Sequence, residues 1–467
     1  MHGDEYRAPE DGLQPGLTLG DLRRRVRELK AHKGFDITLE QRLAYLTSEL
    51  GEVAEEVLRL SRNGNADVGT MDAEGVAAAR ERLGRRSTTS CGTCSTSRIL
   101  RAWTPRAPLR RRPDGTRAEN GSQLMKAMAL AAGKGTRLFP LTGEMPKPLA
   151  PVVDTPIIGH IFGLLARHNV DEVHVNIHYL ADALLEAYGE ESQRDGVKVN
   201  LNREDELLGT AGGVKRLAGQ FEDTFVVVSG DALTDIDIEA LVAFHKEKGA
   251  LATIALRRVY DTSEFGVVEI DEDSGIMGFQ EKPNPEEAIS TLANTGIYVL
   301  EPRALEYIPE DTFFDFAKDV FPKFLEHGER FVGYQGDFYW SDIGTLEAYR
   351  QAQYDVLSGR VGVEIPGEKR GESLWVGEHA QIHPAANIDG HVLVGRDAVV
   401  GRGVTLSGDV TVGTDCWVRP DATIKRSILL PGSMVGDGAY IEDCIVGHGY
   451  NVRPGETIRG GALIRKA

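Results

Sequence analysis

A six-residue period governs about the last ninety residues and constrains the fold more than any other feature of the chain. Val376, Ile382, Ile388, Val394, Val400, Leu406, Val412, Val418, Ile424 and Leu430 hold one phase. The phase slips by one, resumes at Val435 and Ile441, slips again, and continues through Val446, Val452, Ile458 and Ile464. Four residues after each stands a mostly small or apolar side chain, as at Ala380, Ala386, Ala398, Val404, Cys416 and Ala422. A helix repeats at about 3.6 and an alternating strand at about 2, so six fits neither. It describes a β-helix in which each hexad forms one flat side and three hexads close a coil. Sixteen hexads predict about five coils within residues 372–467. Cys416 and Cys444 then read as core or wall thiols rather than nucleophiles. Such repeats also occur in acyltransferases, where a His between neighbouring coils serves as base. His379, His383, His391 and His448 are present without an accompanying acyltransferase signature, so assembly or regulation is the expected role.

The 467 residues predict two to four domains, and 41% hydrophobic with 27% charged residues is ordinary globular composition. No apolar run has the length of a membrane span and no signal peptide opens the chain, so a cytoplasmic protein is expected. Four scattered cysteines agree with a reducing compartment. A net charge of −18 argues against a general nucleic-acid binder, yet a small phosphate ligand needs only a local loop and a metal.

That charge is unevenly spread. Residues 84–122 carry nine Arg and no Lys against Asp114 and Glu119, a net +7, which leaves −25 for the rest. The stretch is rich in Ser, Thr, Gly and Pro and follows no period, so residues 84–124 read as an Arg-rich disordered linker. Cys91 and Cys94 within it lack a second pair or a His cluster to complete a metal site. Shifting the codons of Gly84–Cys91 by one nucleotide permits Glu-Glu-Val-Tyr-Asp-Val-Leu, an acidic helical sequence. The linker therefore also reads as an out-of-frame product, a reading that sequencing the gene tests. Before it, Leu17–Lys33 and Thr38–Arg62 have helical spacing, with Gly34 as a stop and Thr38 with Gln41 as a capping pair.

From Met125 the pattern changes to alternating strands and helices. Met125–Leu130, Glu172–Ile177, Thr224–Val228, Leu251–Leu256 and Gly296–Leu300 read as strands, and Ile157–His168 and Ile238–Lys248 as helices. This alternation predicts a doubly wound, mostly parallel sheet over residues 125–360, with ligands at the carboxyl ends of its strands. The loop after the first strand reads Leu130-Ala-Ala132-Gly133-Lys-Gly135-Thr136-Arg137, and Met145-Pro-Lys147-Pro follows. Glycines let backbone N–H groups approach phosphate oxygens, and Arg and Lys add charge-assisted bonds. By itself the glycine pattern also suits a structural turn; Arg137 and Lys147 ten residues apart strengthen the phosphate reading.

Gly-x-Gly-Thr-Arg-Leu followed by Pro-Lys-Pro resembles the signature of sugar-1-phosphate nucleotidylyltransferases, nearest to the mannose-1-phosphate guanylyltransferases. Further matches follow in order at Leu208–Gly213, Ser229-Gly-Asp231, Phe279-Gln-Glu281-Lys282-Pro283, Asn294-Thr-Gly296 and Trp340-Ser-Asp342-Ile-Gly344, spanning about 215 residues. Ala131-Ala132 and Leu207 depart from that group, at the loops flanking the nucleotide. The resemblance implies α/β architecture, a Rossmann-like nucleotidyltransferase domain followed by a left-handed β-helix. It implies that Arg137 and Lys147 are catalytic, neutralising the triphosphate. Leu130, Ala132, Gly133, Gly135, Thr136, Gly209, Thr210 and Gly212 would hold the nucleotide; Gly266, Glu281, Lys282 and Asn294 the sugar phosphate; Asp231 and Asp342 a Mg²⁺ ion. The implied substrates are an NTP, with GTP foremost, and mannose-1-phosphate. Glucose-1-phosphate with UTP or dTTP is the alternative, and assembly of copies through the β-helix is expected.

At the other end, Leu46-Thr-Ser-Glu49-Leu-Gly-Glu52-Val-Ala-Glu55-Glu56 resembles the metal-binding helix of MazG-like nucleotide pyrophosphohydrolases. Glu49 and Glu52 match the first carboxylate pair; the second is missing in this frame. Residues 1–83 thus read as an incomplete MazG-like segment with a vestigial site, expected to be inactive. An NTP pyrophosphohydrolase acting through it is the alternative of a different class.

Overall fold

Lys126-Ala-Met-Ala-Leu130 forms strand β1, whose three middle side chains have no exposed surface. An apolar run without polar alternation suits a strand covered on both faces, and β1 lies at the centre of the main sheet. The computed structural model describes residues 124–464 except Glu144. Glu49, Glu52, the MazG-like helices and the Arg-rich segment to residue 123 lie outside the described residues.

After β1 come the two-residue ribbon β2 (Pro151–Val152) and β3 (Thr155–Pro156), then α1 (Ile157–Arg167) and β4 (Glu172–Ile177). Helix α2 (Ala181–Tyr188), edge strand β5 (Glu191–Arg194), β6 (Val197–Arg203), α3 (Gly209–Arg216) and β7 (Phe225–Ser229) follow. Strands β6, β4, β1 and β7 are all parallel, in that spatial order. The chain therefore runs outward from β1 on one side, then returns through α3 to add β7 on the other. Between β1 and β7 the connections leave in opposite directions, the place where α/β sheets bind ligands.

Beyond β7 the sheet becomes mixed, more antiparallel than the simple alternation predicts. Strand β8 (Leu233–Thr234) and α4 (Ile238–Lys248) lead into β9 (Ala252–Arg258), the hairpin β10 (Gly266–Ile270) and β11 (Ile276–Glu281), and β12 (Leu292–Leu300). Strand β12 runs antiparallel to β7, β9 and β10, whereas β13 (Phe331–Gln335) is parallel to β9. Helix α4 has the predicted bounds: Asp237 caps it by accepting from Ala240 N at 2.9 Å, and Gly249 ends it in the left-handed region. One face of the sheet packs on α1 and α4. The other carries an aromatic cluster of Phe316, Phe321, Phe324 and Phe331 around α5 (Phe321–Glu326).

β14 (Trp340–Ser341) pairs with β8, and α6 (Leu346–Leu357) closes the α/β domain. From Leu374 the hexads form three parallel sheets, with about five coils as expected. Register advances by eighteen residues from Val376 to Val394 to Val412. It then advances by seventeen, to Leu429, Val446 and Leu463. One corner has lost a residue: Gly408-Asp-Val410 in the longer coil becomes Arg426-Ser427 in the next. Leu429 and Leu463 therefore take the core positions that the six-residue count assigns to Leu430 and Ile464. Those two turn toward the α/β domain instead. The sequence shows that the phase slips, but adjacent apolar pairs such as Leu429-Leu430 hid at which residue it does so. Cys416 and Cys444 are fully buried, and burial pushes the Cys416 thiol up to about 12, as structural thiols should be.

The α/β domain and the β-helix belong to one unit of the chain. Trp375, Leu393, Thr411, Ile428, Ile445 and Ala462 stack in register on the outside of the first sheet. Most of them pack in one apolar cluster with Tyr349, Ala352 and Val356 of α6 and with Val152 and Val153.

Candidate active site at the β1–β7 switch

Two loops leave the carboxyl ends of β1 and β7 in contact. The Gly230 N–H donates to Leu130 O at 2.8 Å, and a Cβ on Gly230 would lie 3.0 Å from that oxygen. In the first loop Ala132 is buried, while Gly133 and Thr136 are exposed; a Cβ on Gly133 would meet nothing within 4 Å, leaving its face open. Gly135 turns the chain at φ +59, and a Cβ there would press to 2.9 Å from Cβ of Lys147. The loop is thus wrapped around the Lys147 stem, and a larger residue at 135 would displace it.

Lys147 is nearly buried, yet its ammonium is satisfied. It lies 3.0 Å from Asp231 Oδ2 and donates to the Asp342 carbonyl oxygen. The Arg137 guanidinium pairs with Glu264 and, at 3.2 Å, with Asp342 Oδ2. The β8–β14 pairing, Leu233 opposite Ser341, sets Asp231 and Asp342 side by side at the ends of adjacent strands. Ser229 Oγ donates to Asp231 Oδ1 at 3.1 Å, and Gly344 N to Asp342 Oδ1 at 3.1 Å. Two cations and three carboxylates, separated by up to 205 residues, therefore meet at the switch point. Such a cluster binds a polyanion through its cations, and its paired oxygens suit a hard divalent ion.

The residues expected on the sugar side join this cluster through the Glu264-Phe265-Gly266 segment. Gly266 pairs with Glu281, and Lys282 N donates to Phe265 O at 3.1 Å. The Phe265 ring meets Trp340 edge-on at 5.1 Å, and Trp340 Nε1 donates to Thr295 O at 2.9 Å, beside Asn294. Asn294 itself donates to Tyr298 OH and accepts from Gly296 N.

Gly209, Thr210 and Gly212 have other neighbours. A Cβ on Gly209 or Gly212 would lie 2.5 Å from the carbonyl oxygen of Phe314 or Thr312. Thr210 Oγ1 donates to Asp315 and accepts from Phe316 N. The space these glycines leave is filled by backbone of this chain, so their small size has a packing reason.

Sequence reasoning missed what ties this loop to the loop after β1. Asn176 Oδ1 accepts from Ala131 N at 3.0 Å, and its amide donates to buried Glu204 at 2.8 Å. Glu204 in turn accepts from Leu208 N at 3.4 Å. A buried Asn next to the last residue of this strand, between Val175 and Ile177, was the available signal. Glu264 was also missed, although it stands two residues before Gly266. Three of the β-helix histidines have separate partners: His391 Nδ1 bonds Asp409 at 2.8 Å, His379 lies between Glu378 and Asp397, and His383 accepts from Ala385 N.

Both described parts of the chain are similar to known proteins. The family described as nucleotidyl transferase matches residues 126–359. The family described as GMPPB C-terminal domain matches residues 388–466. The UTP--glucose-1-phosphate uridylyltransferase of Synechocystis sp. is 41% identical over 291 residues, 58% of this chain and 74% of that protein. The mannose-1-phosphate guanylyltransferase of Mycobacterium tuberculosis is 34% identical over 274 residues, 58% of this chain and 75% of that protein. A Xenopus tropicalis mannose-1-phosphate guanylyltransferase catalytic subunit beta is 35% identical over 225 residues, 47% of this chain and 61% of that protein.

Proposed function

Because the chain belongs to the nucleotidyl transferase family, we propose that the β1–β7 site transfers a nucleotidyl group from GTP to mannose-1-phosphate, releasing pyrophosphate. The observation that carries the site reading is the convergence of Arg137, Lys147, Asp231 and Asp342 at the switch point. The attacking sugar-phosphate oxygen is already anionic, so the step needs alignment and charge compensation rather than a dedicated base. Arg137 and Lys147 exchange their carboxylate partners for triphosphate oxygens and offset the charge that builds at the α-phosphoryl. Lys282 and Glu281, joined to the cluster through Phe265, hold the sugar phosphate and its hydroxyls.

The donor set also fits Mg²⁺. Asp231 and Asp342 offer two carboxylates on neighbouring strand ends, and Mg²⁺ is commonly held by one or two carboxylates with substrate phosphates and water. Bound there, the ion would neutralise phosphate charge and orient the α-phosphoryl group.

The C-terminal match favours the guanosine and mannose pair. A second reading, UTP with glucose-1-phosphate, is favoured by the 41% identical uridylyltransferase. One assay separates these readings: each NTP with Mg²⁺, with and without each sugar-1-phosphate, scored for pyrophosphate and NDP-sugar. Pyrophosphate that requires mannose-1-phosphate and GTP supports the first reading, and a requirement for UTP and glucose-1-phosphate supports the second. Pyrophosphate with NMP from NTP alone would instead assign hydrolysis. Self-association of the chain through its β-helix accompanies the proposal and is read by light scattering.

A further inference from the structure

The segment that leaves Lys147 is held from three sides. Lys147–Leu149 make a 3₁₀ turn, and the β2–β3 ribbon follows with Val153 and Asp154 at its tip. Both tip residues have positive φ, +44 and +65. A β-branched residue in that region is strained and persists only where its surroundings impose the conformation.

Those surroundings are specific. Gln353 of α6 donates to Pro151 O at 2.7 Å and accepts from Val153 N at 2.7 Å; Tyr349 OH also donates to Pro151 O. His160 of α1 bonds Val152 O at 3.0 Å. The β-helix supplies the third side: Thr411 Oγ1 reaches Gln353 at 3.3 Å, and Thr414 donates to Asp154 twice, from N at 3.0 Å and Oγ1 at 2.6 Å. The Asp154 carboxylate lies over Gly395 and Gly413, on successive coils. A Cβ on Gly395 would be 2.7 Å from Asp154 Oδ2, and one on Gly413 3.2 Å from Oδ1.

We propose that Asp154 is a positioning residue: docked on Thr414 in the Gly395–Gly413 slot, it clamps the strap that presents Lys147, making the β-helix a working part of the transfer site. The proposal rests on Lys147 binding the triphosphate. A strap loosened at its tip lets the ammonium drift from its place between Asp231 and Asp342, and misplacements of about 1 Å can cost about a hundredfold in rate.

The test is a set of single and double variants of the full chain, assayed with radiolabelled nucleotide so that residual rates are measurable. Thr414→Val keeps shape but loses the hydroxyl, and kcat should fall about tenfold with the KM for sugar phosphate unchanged; Thr414→Ser should restore it. Asp154→Ala should cost about a hundredfold; if it fails to fold, the Thr414 pair carries the test. In a Lys147→Met background neither change should lower kcat further, because the group they position is gone. Folded Thr414→Val with wild-type kcat, or an undiminished loss in the Lys147→Met background, would overturn the clamp. Wild-type turnover by Lys147→Met alone would instead overturn the assignment of Lys147.

Discussion

The Asp154 clamp carries a pH signature whose sign is set by the structure. Burial pushes its carboxyl from an ordinary 3.8 up to about 6, opposed by the hydroxyl and N–H of Thr414 and the nearby Arg396, and reinforced by Asp415. Tyr349 and Cys416 also face it. A raised carboxyl pKa means that the folded state holds its proton more tightly than the unfolded chain. The stabilisation is therefore complete below about pH 4 and is lost as pH rises through about 6. Two pH units at about 1.4 kcal/mol each give at most ~3 kcal/mol. Asp154→Asn keeps the volume and an acceptor but cannot ionise, so it removes this slope and leaves other titrations in place. Melting both proteins across about pH 4 to 8, the variant should gain on the wild type as pH rises, by roughly 5 °C for a chain of this size. A difference flat with pH, or one that favours the wild type toward neutral pH, would refute the reasoning.

Arg137→Ala or Asp231→Asn should abolish sugar-phosphate-dependent pyrophosphate release while leaving the melting temperature near that of the wild type; near-normal release would remove that residue from the mechanism. Gly209→Ala combines φ +74 with a Cβ 2.5 Å from Phe314 O and should destabilise by about 1–3 kcal/mol, read from denaturant midpoints. Leu393→Ala, fully buried between α6 and the β-helix, should cost about 2–5 kcal/mol and expose the junction to limited proteolysis. Cys416 should resist a thiol reagent in the folded protein and react at the rate of unfolding, which a time course with and without denaturant checks.

Much of the architecture was legible because it is periodic along the chain. The hexads announced the β-helix and its coil number, and the caps Asp237 and Gly249 bounded α4 where propensity placed it. The signature loop was legible as a candidate site, since Gly133, Gly135, Arg137 and Lys147 lie close together in sequence. The slip itself was legible but its corner at Arg426-Ser427 was not: Leu429 and Leu430 are equally apolar, and only pairing with Val412 tells which one faces inward. Gly209 and Gly212 were read as room for a ligand; that a Cβ on either would meet Phe314 or Thr312, about a hundred residues away, was not legible.

Local sequence determined the kinds of element and the loop that can cradle phosphate, because periods of two, 3.6 and six are properties of neighbouring residues. Tertiary structure alone decided which distant groups complete that loop. Glu264 on Arg137, the Asp342 carbonyl on Lys147 and Thr414 on Asp154 are separated by 127, 195 and 260 residues. Sheet order and coil register bring them together, and no pattern within a window of the chain encodes that choice.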